Sequence, residues 1–335
     1  MILVTGGAGY IGSHTVINLL NDHQDIVIFD SLERGHIETI QALKSIGKIE
    51  FVQGDLKNIQ DIETVFQNYK IDAVIHFAAF IVVNESVEEP SKYYRNNVVG
   101  TLNLLDTMIK YNVKKIIFSS TCAVYGNPNY VPLDEVHSKN PINPYGASKL
   151  MVERFLKDYE IAYGLKSIIF RYFNVVGCDS QTRIGDCHEP KTHLISCILE
   201  SIFDSNKTFK IFGNDYNTID GTCIRDYVNV EDLAEAHKLA LHYLTKENKS
   251  DVFNLGTEQG TSVKKIFEIC EAVLNKKINV QIVERRAGDA EILYANSQKA
   301  QQILGWKPTR TIEDSIKTAY QWEEKNRNIS NNINL

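Results

Sequence analysis

Thr5-Gly6-Gly7-Ala8-Gly9-Tyr10-Ile11-Gly12 joins the apolar, β-branched run Ile2–Thr5 to a helical pattern over about 11–22. The glycines at 6, 9 and 12 form G-x-x-G-x-x-G, and their place between a strand and a helix gives the motif its meaning. Glycine admits positive φ in the turn, brings backbone close to a ligand and seats the helix tightly on the sheet. The helix start adds N–H groups and the positive end of the helix dipole, which together suit a pyrophosphate. A glycine-rich turn with no ligand is the plain alternative, and the strand–turn–helix setting weighs against it. Gly6, Gly9, Tyr10, Ile11 and Gly12 are therefore candidate dinucleotide contacts. Asp30 closes the next strand, where a carboxylate can accept from the adenosine ribose hydroxyls and repel a 2′-phosphate, so NAD is expected rather than NADP. A solvated loop aspartate is the alternative, and Arg34 close by argues for caution.

From this unit outward, short β-branched runs alternate with longer helical patterns, the mark of βαβ crossovers and a parallel sheet buried on both faces. The strands read are Ile2–Thr5, Ile26–Asp30, Ile49–Gly54, Ala73–Ala78, Lys115–Ser120 and Ser167–Phe173, with helical stretches near 11–22, 58–69, 91–111 and 145–163. The expected fold is α/β: a doubly wound parallel Rossmann sheet with a smaller mixed α/β C-terminal substrate domain. Residues 1–174 form the dinucleotide-binding part and 175–326 mainly the substrate part. Asp226–Tyr243 and Val252–Leu255 read again as α/β, so some segments are expected to return to the first part. The Asn-rich end, 327–335, has little apolar surface and is expected to be loose.

With 335 residues and 43% hydrophobic content, the chain can build a sizeable core. A net charge of −6 leaves no broad basic field, which argues against nucleic acid or an anionic membrane as partner and requires local groups to hold any phosphate. The start carries no secretory pattern and no long apolar run is present, so a cytoplasmic protein is expected. Its 6 cysteines are scattered, which suits reduced thiols. Cys178, Cys187, His188 and His193 match no zinc spacing, and no metal is expected.

Strand C-termini are where an open sheet binds ligands, which adds Asp55 and Leu56 after the third strand and Phe77, Ala78 and Ala79 after the fourth. The chemistry is expected from Tyr145 and Lys149, one turn apart at the start of a helix that follows the Asn143-Pro144 turn. Tyr111 and Lys115 have the same spacing and read as structural. Position separates the two pairs, because Ser120-Thr121 ends the strand before Tyr145. A phenol titrates near pH 10, and a neighbouring ammonium and a cationic nicotinamide favour its phenolate. Tyr145 is thus the candidate base, Lys149 its tuner and Thr121 the hydroxyl that orients substrate. The alternative is a partly buried tyrosine with a satisfied tip.

These residues resemble the extended short-chain dehydrogenase/reductases and, within them, the UDP-glucose 4-epimerases. The likeness runs nearly end to end, through residues 5–14, Ile-His-Phe-Ala-Ala at 75–79, Tyr-Tyr-Arg-Asn-Asn at 93–97, Phe-Ser-Ser-Thr at 118–121, Val-Tyr-Gly at 124–126 and Pro-Tyr-Gly-Ala-Ser-Lys at 144–149. It continues through Arg-Tyr-Phe-Asn at 171–174, Ile-Phe-Gly-Asn-Asp-Tyr at 211–216, Asp-Gly-Thr at 220–222, Ile-Arg-Asp-Tyr-Val at 224–228 and Arg-Arg-Ala-Gly-Asp at 285–289. The resemblance implies a UDP-sugar substrate, retained NAD, and proton removal from the sugar 4-hydroxyl by Tyr145 while C4 gives up hydride. It further implies cofactor contacts at Asn96 and Phe173, and UDP contacts at Asn174, His193, Leu194, Lys210, Phe212, Arg225, Arg286 and Asp289. An arginine fork suits a diphosphate, although Arg225 and Arg286 taken singly also read as surface ion-pair partners. Relatives pair through the helices equivalent to 91–111 and 145–163, so a homodimer is expected.

Departures limit what carries over. Thr121 stands where many of these epimerases have Ser and keeps the hydroxyl. Ile81 stands where some have a Lys on the nicotinamide ribose, so that contact is not carried over, and His193 replaces an Asn, leaving its contact open. Leu293 stands where a bulky Tyr in some members restricts the sugar C2 pocket, so UDP-N-acetylglucosamine is expected as a further substrate. A 4,6-dehydratase needs acid and base groups beside Thr121, where Cys122-Ala123 offers neither, and a UDP-glucuronate decarboxylase typically has Glu where Ala123 lies. UDP-pentose and UDP-uronate 4-epimerases remain open alternatives. A dinucleotide-binding sensor or scaffold is the alternative of another class, and the intact Tyr145/Lys149 pair speaks against it.

Overall fold

The computed structural model describes residues 1–286 and 290–333, with side chains as far as 328. Its first elements are β1 (Ile2–Thr5), α1 (Tyr10–Asn21), β2 (Ile26–Asp30), α2 (Ile37–Ile46), β3 (Ile49–Gln53), α3 (Ile59–Asn68) and β4 (Ala73–His76). There follow α4 (Val83–Glu88), α5 (Pro90–Tyr93), a π-helical stretch Tyr94–Val99, α6 (Gly100–Lys110), β5 (Lys115–Ser119), α7 (Pro144–Tyr163) and β6 (Lys166–Tyr172). The remainder comprises β7 (Asn174–Val176), α8 (Leu194–Phe203), β8 (Phe209–Phe212), β9 (Ile224–Arg225), β10 (Tyr227–Asn229), α9 (Val230–Glu247) and β11 (Asp251–Leu255). The last elements are β12 (Thr261–Ser262), α10 (Val263–Leu274), β13 (Val280–Val283), β14 (Ile292–Leu293), α11 (Gln298–Leu304) and α12 (Ile312–Ile333).

A 7-stranded parallel sheet runs in the order β11-β6-β5-β4-β1-β2-β3, which is the doubly wound α/β architecture expected. Alternate residues of its strands feed two cores. Val4, Ile28, Ile75 and Ile117 face one side with α1 and α9, while Leu3, Val27, Val74 and Ile116 face the other with α3 and α6. Burial on both faces explains why these strands read as unbroken apolar runs. Strand order reverses between β1 and β4, so a crevice opens beyond Thr5 and His76, which are register partners.

Beyond Asn174 the strands are short and pair locally: β10 with β7, β13 with β8, and β9 between β12 and β14. Their helices α8, α10 and α12 share a third core around Ile198, Ile266 and Ile316. The segment from α9 to β11 lies against the large sheet, with β11 pairing β6 at its edge.

Three details depart from the sequence reading. Helix α2 went unread because only Ile40 and Leu43 of its residues are buried, too short an apolar stripe to stand out. The helix expected over 91–111 is divided into α5, the π-helical stretch and α6. There Asn97 is drawn inward, accepting from Phe80 N–H at 2.9 Å and donating to Phe80 O at 3.0 Å and Ser148 Oγ at 3.1 Å. Helix α12 also went unread, and it runs as far as Ile333. No Pro or Gly interrupts that stretch, and Arg327 donates to Glu323 Oε1 one turn back at 2.7 Å.

Candidate active site

The turn after β1 is shaped for close approach. Gly6 has φ +75°, and a Cβ there would lie 2.6 Å from Ala78 N; at Gly12 it would lie 2.3 Å from Gly6 O. Helix α1 begins at Tyr10 without a side-chain cap, leaving its first N–H groups for an anion. Asp30 is buried, and its carboxylate accepts from Ala8 N at 3.0 Å and Leu32 N at 2.9 Å. Burial raises its pKa, opposed by those two bonds, and the lone pairs left over suit ribose hydroxyls. The Arg34 guanidinium is engaged by a carboxylate, a carbonyl and a ring. It donates to Glu85 Oε1 at 2.7 Å and Glu189 O at 3.2 Å, with its guanidinium 5.7 Å from the Phe80 ring centroid. The cradle and carboxylate fit NAD.

At the other end of the crevice, β5 delivers Thr121 and α7 delivers Tyr145 and Lys149. Asn143 caps α7 by accepting from Gly146 N at 2.8 Å, and Pro144 occupies its first turn, which fixes the helix start and hence Tyr145. Thr121 Oγ1 accepts from Ala123 N at 3.1 Å, so its proton is free to turn toward the neighbouring Tyr145 oxygen, whose pKa it lowers. Burial drives the Tyr145 phenol above its usual range, with Tyr172 adding to the effect and the Thr121 bond opposing it. Burial drives Lys149 down to about 7. Its Nζ donates to Ser119 O at 2.8 Å and lies 4.9 Å from the Phe118 ring centroid. Burial thus pushes both groups toward their neutral forms, the phenol protonated and the amine deprotonated. Burial pushes the neighbouring Cys122 thiol up to about 12, which leaves it protonated and unsuited to acid–base work.

The far wall comes from the second lobe. Arg225 on β9 donates to Ile224 O at 2.9 Å, and its register partner is Leu293 on β14. Arg286 lies over the Phe212 ring, 3.7 Å from its centroid. Leu293 packs on the cluster of Phe173, Val124 and Tyr125.

One continuous cleft of about 690 Å³ brings together the expected residues that the structure describes. Of the residues expected at the dinucleotide, Gly6, Gly9, Tyr10, Ile11, Gly12, Asp30, Asp55, Leu56, Phe77, Ala78, Ala79, Asn96 and Phe173 all line it. Thr121, Tyr145 and Lys149 line it too, as do Asn174, His193, Leu194, Lys210, Phe212, Arg225, Arg286 and Leu293. Asp289 lies outside the described residues. Unforeseen in the lining are Glu85, the loop residues Cys187 and His188, and Cys197 on α8. That loop has no periodicity, and its cleft-facing role depends on folding back against α1, where the Tyr10 hydroxyl donates to Gly177 O. Among the described residues, no helix is long and apolar enough to cross a membrane.

A family model described as GDP-mannose 4,6 dehydratase matches residues 3–319. A UDP-glucose 4-epimerase of Halalkalibacterium halodurans is 45% identical over 97% of this chain and 96% of its own. The chain belongs to the UDP-glucose 4-epimerase family. Among solved members, one from Stenotrophomonas maltophila with bound NAD and formylated UDP-arabinopyranose superposes with a TM-score of 0.94 at 36% identity, covering 98% of this chain and 99% of that one. The UDP-Glc/GlcNAc 4-epimerase of Campylobacter jejuni is 42% identical with a TM-score of 0.84, covering 97% and 99%. Within this family, Cys122 and Ala123 separate the chain from a dehydratase, because neither can move the extra protons that elimination requires.

Proposed function

We propose that the protein is an NAD-dependent UDP-hexose 4-epimerase that interconverts UDP-glucose and UDP-galactose, and UDP-N-acetylglucosamine and UDP-N-acetylgalactosamine as well. The observation that carries this reading is the placement of Thr121, Tyr145 and Lys149 in one cleft with the glycine cradle and the arginine-bearing wall. Bound NAD supplies a reversible hydride acceptor at sugar C4, so the reaction has no net redox change. Tyr145 takes the 4-hydroxyl proton as C4 loses hydride, giving a 4-keto sugar, and returns the proton once hydride has come back to the other face. Thr121 holds the 4-oxygen beside the phenol. Lys149, one helical turn from Tyr145, favours the phenolate when its amine is protonated. Arg225 and Arg286 hold the diphosphate, which fixes one end of the substrate while the sugar turns over.

In this reading residues 1–174 bind NAD and 175–326 mainly bind the UDP-sugar. Leu293 leaves space at sugar C2 for an N-acetyl group. Two chains pair through α6 and α7, on which Met151, Ile161 and Tyr163 are exposed, as is Val99 just before α6. Light scattering should return the mass of two chains at micromolar concentration; one chain mass would remove the pairing. A cytoplasmic setting agrees with its 6 free cysteines. The test of function is incubation without added NAD, first with UDP-galactose and then with UDP-N-acetylgalactosamine, with the C4 epimers separated by chromatography. Conversion of both is expected. Conversion of neither, even with NAD supplied, would overturn the assignment.

A further inference from the structure

Between the dinucleotide cradle and the second lobe, a buried carboxylate holds an imidazole in the cleft wall. Asp186 is 7% exposed, and its Oδ2 accepts from His193 Nδ1 and Ser196 Oγ, each at 2.7 Å, while Oδ1 accepts from His188 N at 3.1 Å. The His193 ring lies between two others, with centroids 5.8 Å from Tyr10 and 5.6 Å from His188. It also lines the cleft, on the side where Arg286 stands. With Nδ1 committed to Asp186, the only ring nitrogen left for a ligand is Nε2. When neutral, that atom carries a lone pair and can only accept; when protonated, it can only donate.

We infer that Asp186 and His193 form a clamped imidazolium whose Nε2–H donates to a diphosphate oxygen in the cleft, so that diphosphate binding follows the protonation of His193. This rests on the cleft's assignment to a dinucleotide and a UDP-sugar. Both ligands carry a diphosphate, and His193 stands at the seam between their sites, against Tyr10 of the cradle on one side and at the start of α8 on the other. A chain of net charge −6 has no broad basic field, so local groups must hold such a ligand.

The groups facing His193 act in two directions. Asp186 raises its pKa against the effect of burial, and Lys191 lowers it. Lys191 is itself drawn toward Glu323 of α12 at 3.6 Å and Glu189 at 3.7 Å. His188 is pushed toward its neutral form by burial and by His193 itself, and Tyr10 by burial, so neither adds a competing cation or anion at neutral pH. The balance leaves the pKa of His193 raised, with the Asp186 carboxylate as the cause.

The test uses NAD-loaded protein and UDP-galactose, whose phosphates keep their charge between pH 6 and 9. For the wild type, KM should rise about tenfold as pH rises through the His193 titration, with kcat not following the same curve. His193→Asn keeps a donor toward Asp186 but has no proton to gain, so its KM should be high and flat across that range. Retained NAD per purified chain at pH 6.5 and 8.5 forms the second arm. A fall at high pH that His193→Asn abolishes would assign the imidazolium to the dinucleotide diphosphate, whereas a change in KM assigns it to the UDP-sugar. NMR titration of the wild-type ring nitrogens needs no variant, and bound ligand should raise the His193 pKa. If turnover proceeds while KM, NAD retention and that pKa all stay unmoved, the inference falls and the epimerase reading stands. If UDP-galactose is not turned over, yet its affinity by calorimetry follows His193 protonation, the epimerase reading fails and this inference stands.

Discussion

The Lys149 ammonium is tethered to the Ser119 carbonyl at 2.8 Å, at the end of the strand that delivers Thr121. Burial lowers its pKa to about 7, far below that of an exposed lysine, so its presence costs stability that its chemistry requires. The unfolded chain holds this proton up to about pH 10 and the folded chain gives it up near 7, so stability rises with pH across that window. Lys149→Met should therefore raise Tm by several degrees at pH 7 while nearly abolishing kcat. Its advantage over the wild type should shrink as pH approaches 10. Differential scanning calorimetry across pH checks this, and a lower Tm for the variant at pH 7 would show that the Ser119 bond outweighs the burial of charge.

Tyr145→Phe removes the proton acceptor with little change in volume. Loss of positioned acid–base catalysis should lower kcat by about 10²–10⁴ while KM and NAD content stay close to wild type. Thr121→Ala should also lower kcat, and Thr121→Ser should recover most of it, because what Tyr145 meets is the hydroxyl and not the methyl. Equal loss in Thr121→Ser and Thr121→Ala would instead assign the residue to packing. Steady-state kinetics on UDP-galactose separate these outcomes.

Leu293 stands beside Arg225 in the β9–β14 register and packs toward Phe173. Leu293→Tyr fills space beside the sugar and should remove activity on UDP-N-acetylgalactosamine while sparing UDP-galactose. The readout is the ratio of kcat/KM values for the two substrates, expected to fall by about tenfold or more if the lost space is worth 1–3 kcal/mol. An unchanged ratio would detach Leu293 from sugar choice.

How far the sequence carried these conclusions depends on the locality of each signal. The cradle from Gly6 to Gly12, Asp30 at a strand end and the Tyr145/Lys149 turn were legible because a few contiguous residues define each of them against strand and helix periodicity. Asp186 and Glu85 were not. They belong to a loop and a one-and-a-half-turn helix without apolar rhythm, and their roles arise from partners distant in the chain.

Arg34 and Glu85 yield the last prediction. Arg34 lies four residues after Asp30, the carboxylate proposed to meet the adenosine ribose, while Glu85, on α4, also accepts from Lys92 Nζ at 2.6 Å and Tyr93 Oη at 2.8 Å. Arg34 therefore ties the adenosine end of the cleft to α4 and, through Glu189 O, to the second lobe. Both side chains are partly exposed, at 31% and 20%, which places the pair among modest contributors to fold stability. Its effect should appear instead as retention of the cofactor. Arg34→Met should leave Tm nearly unchanged and speed loss of NAD by roughly fivefold, the equivalent of about 1 kcal/mol. Glu85→Gln should do the same more weakly, since its amide can still accept from Arg34. The measurement is NAD fluorescence after reduction in the cleft, followed during dilution or against added unlabelled NAD+, and an unchanged exchange rate in Arg34→Met would reduce the bridge to a surface contact.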